Sequence, residues 1–356
     1  MINKLKKMPE IPEDREVTIY DIARHLNISA ATVSRGLKNN PMISKSTRKK
    51  IADAAKSLGY QSNTFASSLR SRHTHTLGVL VPRLNSHFMS SALAGMENAA
   101  NLHGYNLIIA QSLEDAEKEK RNAAIMFNKR VDGLLISLSY NTRDIQHLEP
   151  FFKRKIPVVF FDRVYPHDES TAVGINNHEA AYNITQHLIA QGCRKIMHLG
   201  GNLLRNVYKE RLAGYRKALE DHHLSFNKKL HLTSTLSEQA GTDAARYILD
   251  LTPKQRPDAV FSANDTAAVY CMLALKAAGL RIPEDIAFAG FNNDPISRVI
   301  EPNLTTMDYS GDSIGDTAAT CLINHLKGIS NLYTTNAITL RADMVIRASS
   351  LKNKLP

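Results

Sequence analysis

Arg35 follows a run of small residues, Ala30, Ala31 and Ser34, and Lys38 comes three positions later. These spacings put all five on one face of a helix. A guanidinium on a bare helical face can donate two parallel hydrogen bonds to guanine O6 and N7, and alanine methyls can touch thymine methyls. Small neighbours also let such a helix sit deep in a groove. The alternatives are plain helix propensity for the alanines, and a phosphate contact or a solvated charge for Arg35. Thr32, Ser34 and the Arg48–Lys50 run suit phosphate contacts that set register. Catalytic chemistry has little to work with. The chain holds no G-x-x-x-x-G-K-[ST] loop, no G-x-G-x-x-G fingerprint and no H-E-x-x-H. Its histidines are scattered, and the adjacent His222 and His223 would point to different helix faces. Cys193, Cys271 and Cys321 lack metal or redox spacing, and an odd count argues against a disulfide framework. No metal, cofactor or enzymatic activity is expected.

The elements that present Arg35 follow from local pattern. Thr18 is a good N-cap, and Ile19, Ile22, Ala23 and Leu26 recur at the spacing of an amphipathic helix. Asn27 and Ile28 form a turn. Ser29 caps a second helix whose Val33 and Leu37 face inward. A third helix follows Ser44, buries Ile51, Ala54, Ala55 and Leu58, and ends at Gly59. Three such short helices can fold around one shared core where none would alone. In this helix-turn-helix arrangement, the outward face of the second helix enters the major groove. Charge agrees. Of the 356 residues, those through Thr76 carry fourteen Lys/Arg against six Asp/Glu, and the remainder carry 31 against 28. A basic head on a near-neutral body suggests a polyanionic partner, the alternative being a solubilising surface. The N-terminus has no apolar signal core and no stretch is long enough to span a bilayer, so a cytoplasmic protein without membrane contact is expected.

From Leu77 onward, apolar runs alternate with helical periodicity. "LGVLVP", "NLIIAQ", "GLLISL", "PVVFFD", "KIMHLGG", "AVFSAND" and "IAFAGFN" are predicted buried strands. Met89, Leu93, Met96 and Ala100 share one face of an intervening helix that stops at Gly104. The alternation predicts an α/β body of doubly wound parallel sheets, with enough strands for two lobes and a ligand cleft between them. Tyr60–Thr76 is a basic, small-residue linker with one short turn whose apolar members are Phe65, Ala66 and Leu69.

With "TIYDIARHLNISAATVSRGLKNN" and "ISKSTRKKIADAAKSLGY" the head resembles the lactose-repressor (LacI/GalR) family. Its hallmark is T-x-x-D-[IV]-A, then [GN]-[VI]-S-x-x-T-V-S-R, then a third helix ending in G/N-Y. The likeness runs from Thr18 to about Ser349. It implies operator contacts from Thr18, Tyr20, Ser29, Ala30, Ala31 and Thr32, and from Ser34, Arg35, Asn39 and Thr47. It also implies a hinge helix over "NTFASSLRS" that orders when two protomers sit on DNA. There Leu69 would be the minor-groove wedge, with Asn63 and Ala66 beside it. Ser62 stands where the family usually has proline, and Ser67 where it often has arginine, so a looser hinge is expected. Residues 1–16 fall outside the likeness; Lys4, Lys6 and Lys7 there are either a free tail or phosphate contacts.

The body resembles two-lobed, periplasmic sugar-binding proteins. The resemblance implies three crossings between lobes, near Asn176, Thr305 and Ser330. Lobe 1 would then be 77–176 with 305–330, lobe 2 177–304 with 331–349, and 350–356 a tail. Position by position, it implies ligand contacts from Ser86, His87 and Phe88, with Phe88 as a stacking face, from Asp162 and Arg163 in "FFDR", and from Arg211 in "RLAGYRKAL". It adds Asn264 and Asp265 in "SANDTAAV" and Asn292 in "AGFNN". Most relatives carry aspartate at the last position, and the amide puts recognition of a hydroxyl pair there in question. For each residue the alternative is a strand-end or helix-cap hydrogen bond, and for Arg163 a structural salt bridge. Together these imply a homodimeric regulator whose grip on double-stranded operator DNA depends on a small effector. A sugar or sugar derivative is expected. The alternatives are a purine or other non-sugar effector, or a sugar-processing enzyme with a DNA-binding head.

Overall fold

In the computed structural model, residues 17–60 and 73–352 are described. The chain divides into two units, residues 1–72 and 73–356. The hinge residues Ser62, Asn63, Ala66, Ser67 and Leu69 lie outside the described residues, as do the N-terminal lysines.

In the first unit, side-chain caps fix where each helix starts. Helix α1 (Ile19–Leu26) begins where the Asp21 carboxylate accepts from the Thr18 N–H at 2.9 Å and its hydroxyl at 2.7 Å. Ser29 caps α2 (Ala30–Leu37) by accepting from the Thr32 N–H at 3.1 Å. Ser44 does the same for α3 (Lys45–Ser57) through Thr47 at 3.2 Å. Ile22, Ala23, Val33, Ile51, Ala54 and Ala55 form the small core. Gly36 sets the crossing of α2 over α3: a Cβ there would stand 2.3 Å from Ile51 Cδ1. Helices this short are held by that packing rather than by propensity.

The second unit contains two six-stranded sheets. The first has the order β11-β5-β4-β3-β1-β2, from β1 (Thr76–Val81), β2 (Asn106–Gln111), β3 (Gly133–Ile136), β4 (Val158–Phe161), β5 (Ser170–Ile175) and β11 (Ala337–Leu340). The second has the order β12-β10-β9-β8-β6-β7, from β6 (Ile196–Gly200), β7 (His231–Thr233), β8 (Ala259–Ser262), β9 (Ala287–Phe291), β10 (Thr305–Asp308) and β12 (Asp343–Val345). Among the described residues, only β12 runs antiparallel to its neighbour. Helices α4 (His87–Leu102), α5 (Ala116–Asn128) and α12 (Gly311–Leu326) pack on the first sheet's strands or on each other, and α8 (Asn206–Asp221) and α10 (Asp265–Ala277) on the second's. Helix α7 (Asn177–Ala190) lies against α8, and α9 (Glu238–Asp250) against α10, while α6 (Glu149–Lys153) and α11 (Ile296–Val299) are short. Strands β3, β4, β6, β8 and β9 are buried at every position. This is the burial expected of parallel strands covered on both faces.

Four details depart from the sequence reading. Strand β2 has no buried residue, because "NLIIAQ" ends up at the sheet edge. Thr305 opens β10 inside the second sheet, so the second crossing follows Asp308, and α12 packs on the first lobe. The third crossing lies between Leu340 and Asp343 rather than near Ser330, since β11 pairs with β5. Both ends of the body reach further than expected. Asp132 accepts from the Thr74 and His75 N–H groups at 2.8 Å each. Ser350 is fully buried and bonds the Thr305 hydroxyl at 2.6 Å.

Candidate functional site

On the head, Tyr20, Ser29, Ala31, Arg35, Lys38 and Asn39 are exposed, and Thr32, Ser34 and Thr47 are half-buried. Asn39 takes a left-handed conformation at φ 56° just past α2. Its carbonyl accepts from Arg48 Nη1 at 3.2 Å, so Arg48 braces the turn while Lys49 and Lys50 stay exposed. Ala30 departs from the expected outward face. It is half-buried and packs against the small core that α2 shares with α1 and α3.

In the body, the strand ends of both sheets open onto a cleft of about 630 Å³. All the expected ligand residues but Asp265 line it: Ser86, His87, Phe88, Asp162 and Arg163 from the first lobe, and Arg211, Asn264 and Asn292 from the second; Asp265 is instead wholly buried, its carboxylate taken by the Asp294 N–H and the Thr306 hydroxyl. Their surroundings differ. Ser86 N-caps α4 without a side-chain cap bond, and His87 beside it is exposed. The Phe88 ring is 5 % exposed and packs on Tyr309 at 4.7 Å, so Tyr309 covers the stacking face expected of it. Arg163 forms a salt bridge from Nη1 to both Glu114 oxygens, at 3.0 and 2.8 Å, while Nη2 donates to the Tyr208 hydroxyl of the other lobe at 3.1 Å. Its guanidinium also lies 4.3 Å from the Tyr140 ring centre. This is the structural pairing named as its alternative.

Arg211 is anchored from three sides. Nε donates to Asn177 Oδ1 at 2.9 Å, Nη1 to the Ala263 carbonyl at 2.8 Å and Nη2 to the Tyr309 hydroxyl at 3.4 Å. The group stacks 3.6 Å from the Phe291 ring centre. Three of five N–H donors are thus committed, which orients the rest. Asn264 N-caps α10, accepting from Ala267 N at 3.0 Å and donating to the Leu236 carbonyl at 2.9 Å. Asp162 follows β4 at φ 57°. Burial pushes its carboxyl up from the ordinary range, and Arg163 and Arg211 oppose that shift. Below the cleft, the wholly buried Asp265 accepts from the Asp294 N–H and the Thr306 hydroxyl, each at 2.7 Å.

Sequence reasoning missed Glu114, Tyr140, Tyr208, Tyr309 and Asp294, all on the cleft wall. Tyr208 lies one turn before Arg211 on α8, a spacing that was legible. The others come from loops whose direction only the fold sets. Among the described residues no group of His, Cys, Asp and Glu could hold a metal ion, and no helix is long and apolar enough to cross a membrane.

Residues 18–63 match the family described as bacterial regulatory proteins, lacI family, and residues 185–350 match the periplasmic binding protein-like domain. The transcriptional repressor PurR of Aliivibrio fischeri is 30% identical over 335 residues, 94% of this chain and 98% of that protein. The chain belongs to the LacI family. It is a DNA-binding transcription regulator with an effector-binding body. The lac repressor dimer bound to operator and the anti-inducer ONPF superposes with a TM-score of 0.84 at 25% identity, covering 95% of this chain and all of that one. The cellobiose complex of the regulator CelR gives 0.71 at 26% identity, over 94% of this chain and all of that one. LacI-family membership accounts for the joining of a basic three-helix unit to a two-lobed body in one chain.

Proposed function

We propose that this protein is a repressor whose operator affinity is set by a sugar or sugar derivative held between the lobes. Two copies present their α2 helices to the half-sites of a roughly palindromic operator in the cytoplasm, with Arg35 as the base-reading residue. The observation that carries the effector reading is the cleft wall. Oriented N–H donors of Arg211, the Asp162 and Asp294 carboxylates and the Asn292 amide surround one cavity with aromatic rings beside them. Many fixed donors and acceptors around a partly apolar pocket suit a hydroxyl-rich ring. The solved cellobiose complex of CelR lends the same support. The uncharged amide at Asn292 and the tyrosine rings also suit a planar heterocycle, so a purine base is the second reading.

Both lobes contribute to the wall, so a ligand that fills it favours the closed arrangement by its differential affinity for that state. Fluorescence anisotropy on operator DNA tests the reading, with cellobiose, D-ribose, D-glucose and hypoxanthine added in turn. A sugar is expected to change operator affinity at least tenfold. Response to hypoxanthine alone selects the second reading, and affinity indifferent to all four defeats both.

A further inference from the structure

Asp294 lies in the loop after β9, lines the cleft and is 8 % exposed. Its backbone is fully used: the N–H donates to Asp265 at 2.7 Å, and the carbonyl accepts from the Ser297 N–H at 2.9 Å and the Ser297 hydroxyl at 2.7 Å. Its side chain is not. Oδ2 receives only a long 3.4 Å contact from the Asn292 amide, and Oδ1 is buried with no hydrogen-bond partner. A desolvated carboxylate oxygen without a donor is costly, and proteins leave few of them. Two neighbouring carboxylates are occupied. Glu114 holds Arg163, and Asp265 holds the loop and Thr306. Asp294 is therefore a fixed acceptor on the second lobe's wall.

We propose that Asp294 is the specificity-determining acceptor for a pair of adjacent hydroxyls on the effector, supplying from position 294 the carboxylate that Asn292 lacks. The Asn292 amide orients it through Oδ2. A vicinal diol donates one O–H to each carboxylate oxygen once the Asp294 side chain turns Oδ1 out of its buried position, which satisfies Oδ1 and replaces the long contact at Oδ2. This assignment rests on the cleft being the effector site and deepens that reading.

The test is a thermal-shift titration of the full-length protein with cellobiose, D-ribose, D-glucose and 2-deoxy-D-ribose, the last lacking one hydroxyl of ribose. Wild type, Asp294→Asn, Arg211→Lys and the double variant Asn292→Asp with Asp294→Asn are compared. At least one sugar is expected to raise the wild-type midpoint. Asp294→Asn should weaken that sugar's affinity about tenfold or more, the loss typical of a hydrogen bond to a charged group, and the double variant should recover part of it. Without sugar, Asp294→Asn should unfold no earlier than wild type. A lower ligand-free midpoint with unchanged sugar affinity would assign Asp294 to structure and overturn the proposal. Wild-type affinity in Asp294→Asn combined with loss in Arg211→Lys overturns it too, yet leaves the effector site standing. If no sugar shifts the wild type, the site reading falls and this assignment falls with it.

Discussion

At the scale of single residues, Arg35 is exposed on α2 with Ala31 one turn behind it. If it reads a base edge, Arg35→Ala should cost about 1–3 kcal/mol on the cognate operator and relax specificity at one base pair. Binding to an operator library would show this, and equal loss on every sequence would make it a phosphate contact. His198 offers a test of the core. Its ring is wholly buried on β6, stacked between Tyr215, His231 and Phe261, with Nδ1 3.2 Å from the Phe261 carbonyl. Burial, with His231 adding to it, pushes its pKa down to about 3. The unfolded chain takes up a proton near pH 6.5 that the folded chain refuses, so stability falls as pH drops from there toward 3. One such group adds a slope of about 1.4 kcal/mol per pH unit. Urea unfolding of His198→Phe between pH 7 and 4 should give a shallower acid limb than wild type; parallel curves would remove His198 from the account.

At the scale of elements, close helix crossings are set by glycine. A Cβ on Gly315 of α12 would stand 1.9 Å from the Ala92 carbonyl of α4. Backbone cannot yield as a side-chain tip can, so Gly315→Ala must push two helices apart. The expected net loss is about 1–3 kcal/mol in urea, despite the roughly 1 kcal/mol that alanine adds to a helix. A gain in stability would show that the two helices separate freely. Strand β2 illustrates the limit of pattern at this scale. "NLIIAQ" is as apolar as the central strands, yet it is an edge. Neighbour order is a property of the sheet and leaves no mark on the strand's own composition.

At the scale of the whole molecule, the lobes of the body are tied across the cleft mouth. Arg163 reaches Tyr208, Tyr140 reaches the Thr235 carbonyl at 3.3 Å, and Asn206 accepts from the Val164 N–H at 2.9 Å. Tyr208→Phe removes an acceptor from Arg163 while keeping the ring. Small-angle scattering of the ligand-free variant should give a larger radius of gyration, and effector affinity should fall about tenfold. An unchanged radius would mean that the contact does not hold the lobes. If an effector in the cleft changes operator affinity as proposed, operator DNA must change effector affinity by the same factor.

The sequence by itself determined the three-helix head and the parallel α/β body, and its resemblance to a family named eight of the residues on the cleft wall. The head and the body are written in short-range terms: caps at Thr18, Ser29 and Ser44, and uninterrupted apolar runs for doubly covered strands. Only the tertiary structure decided that Phe88 hides its face behind Tyr309, that Arg163 is taken by Glu114, and that "LTTMD" is a sheet strand rather than a crossing. It alone brought out Asp294, whose significance lies in what is missing around one oxygen. Partners 49 residues apart, as Glu114 and Arg163 are, meet only when loops are folded. Local pattern records what a residue prefers, and long-range packing determines which of its preferences are met.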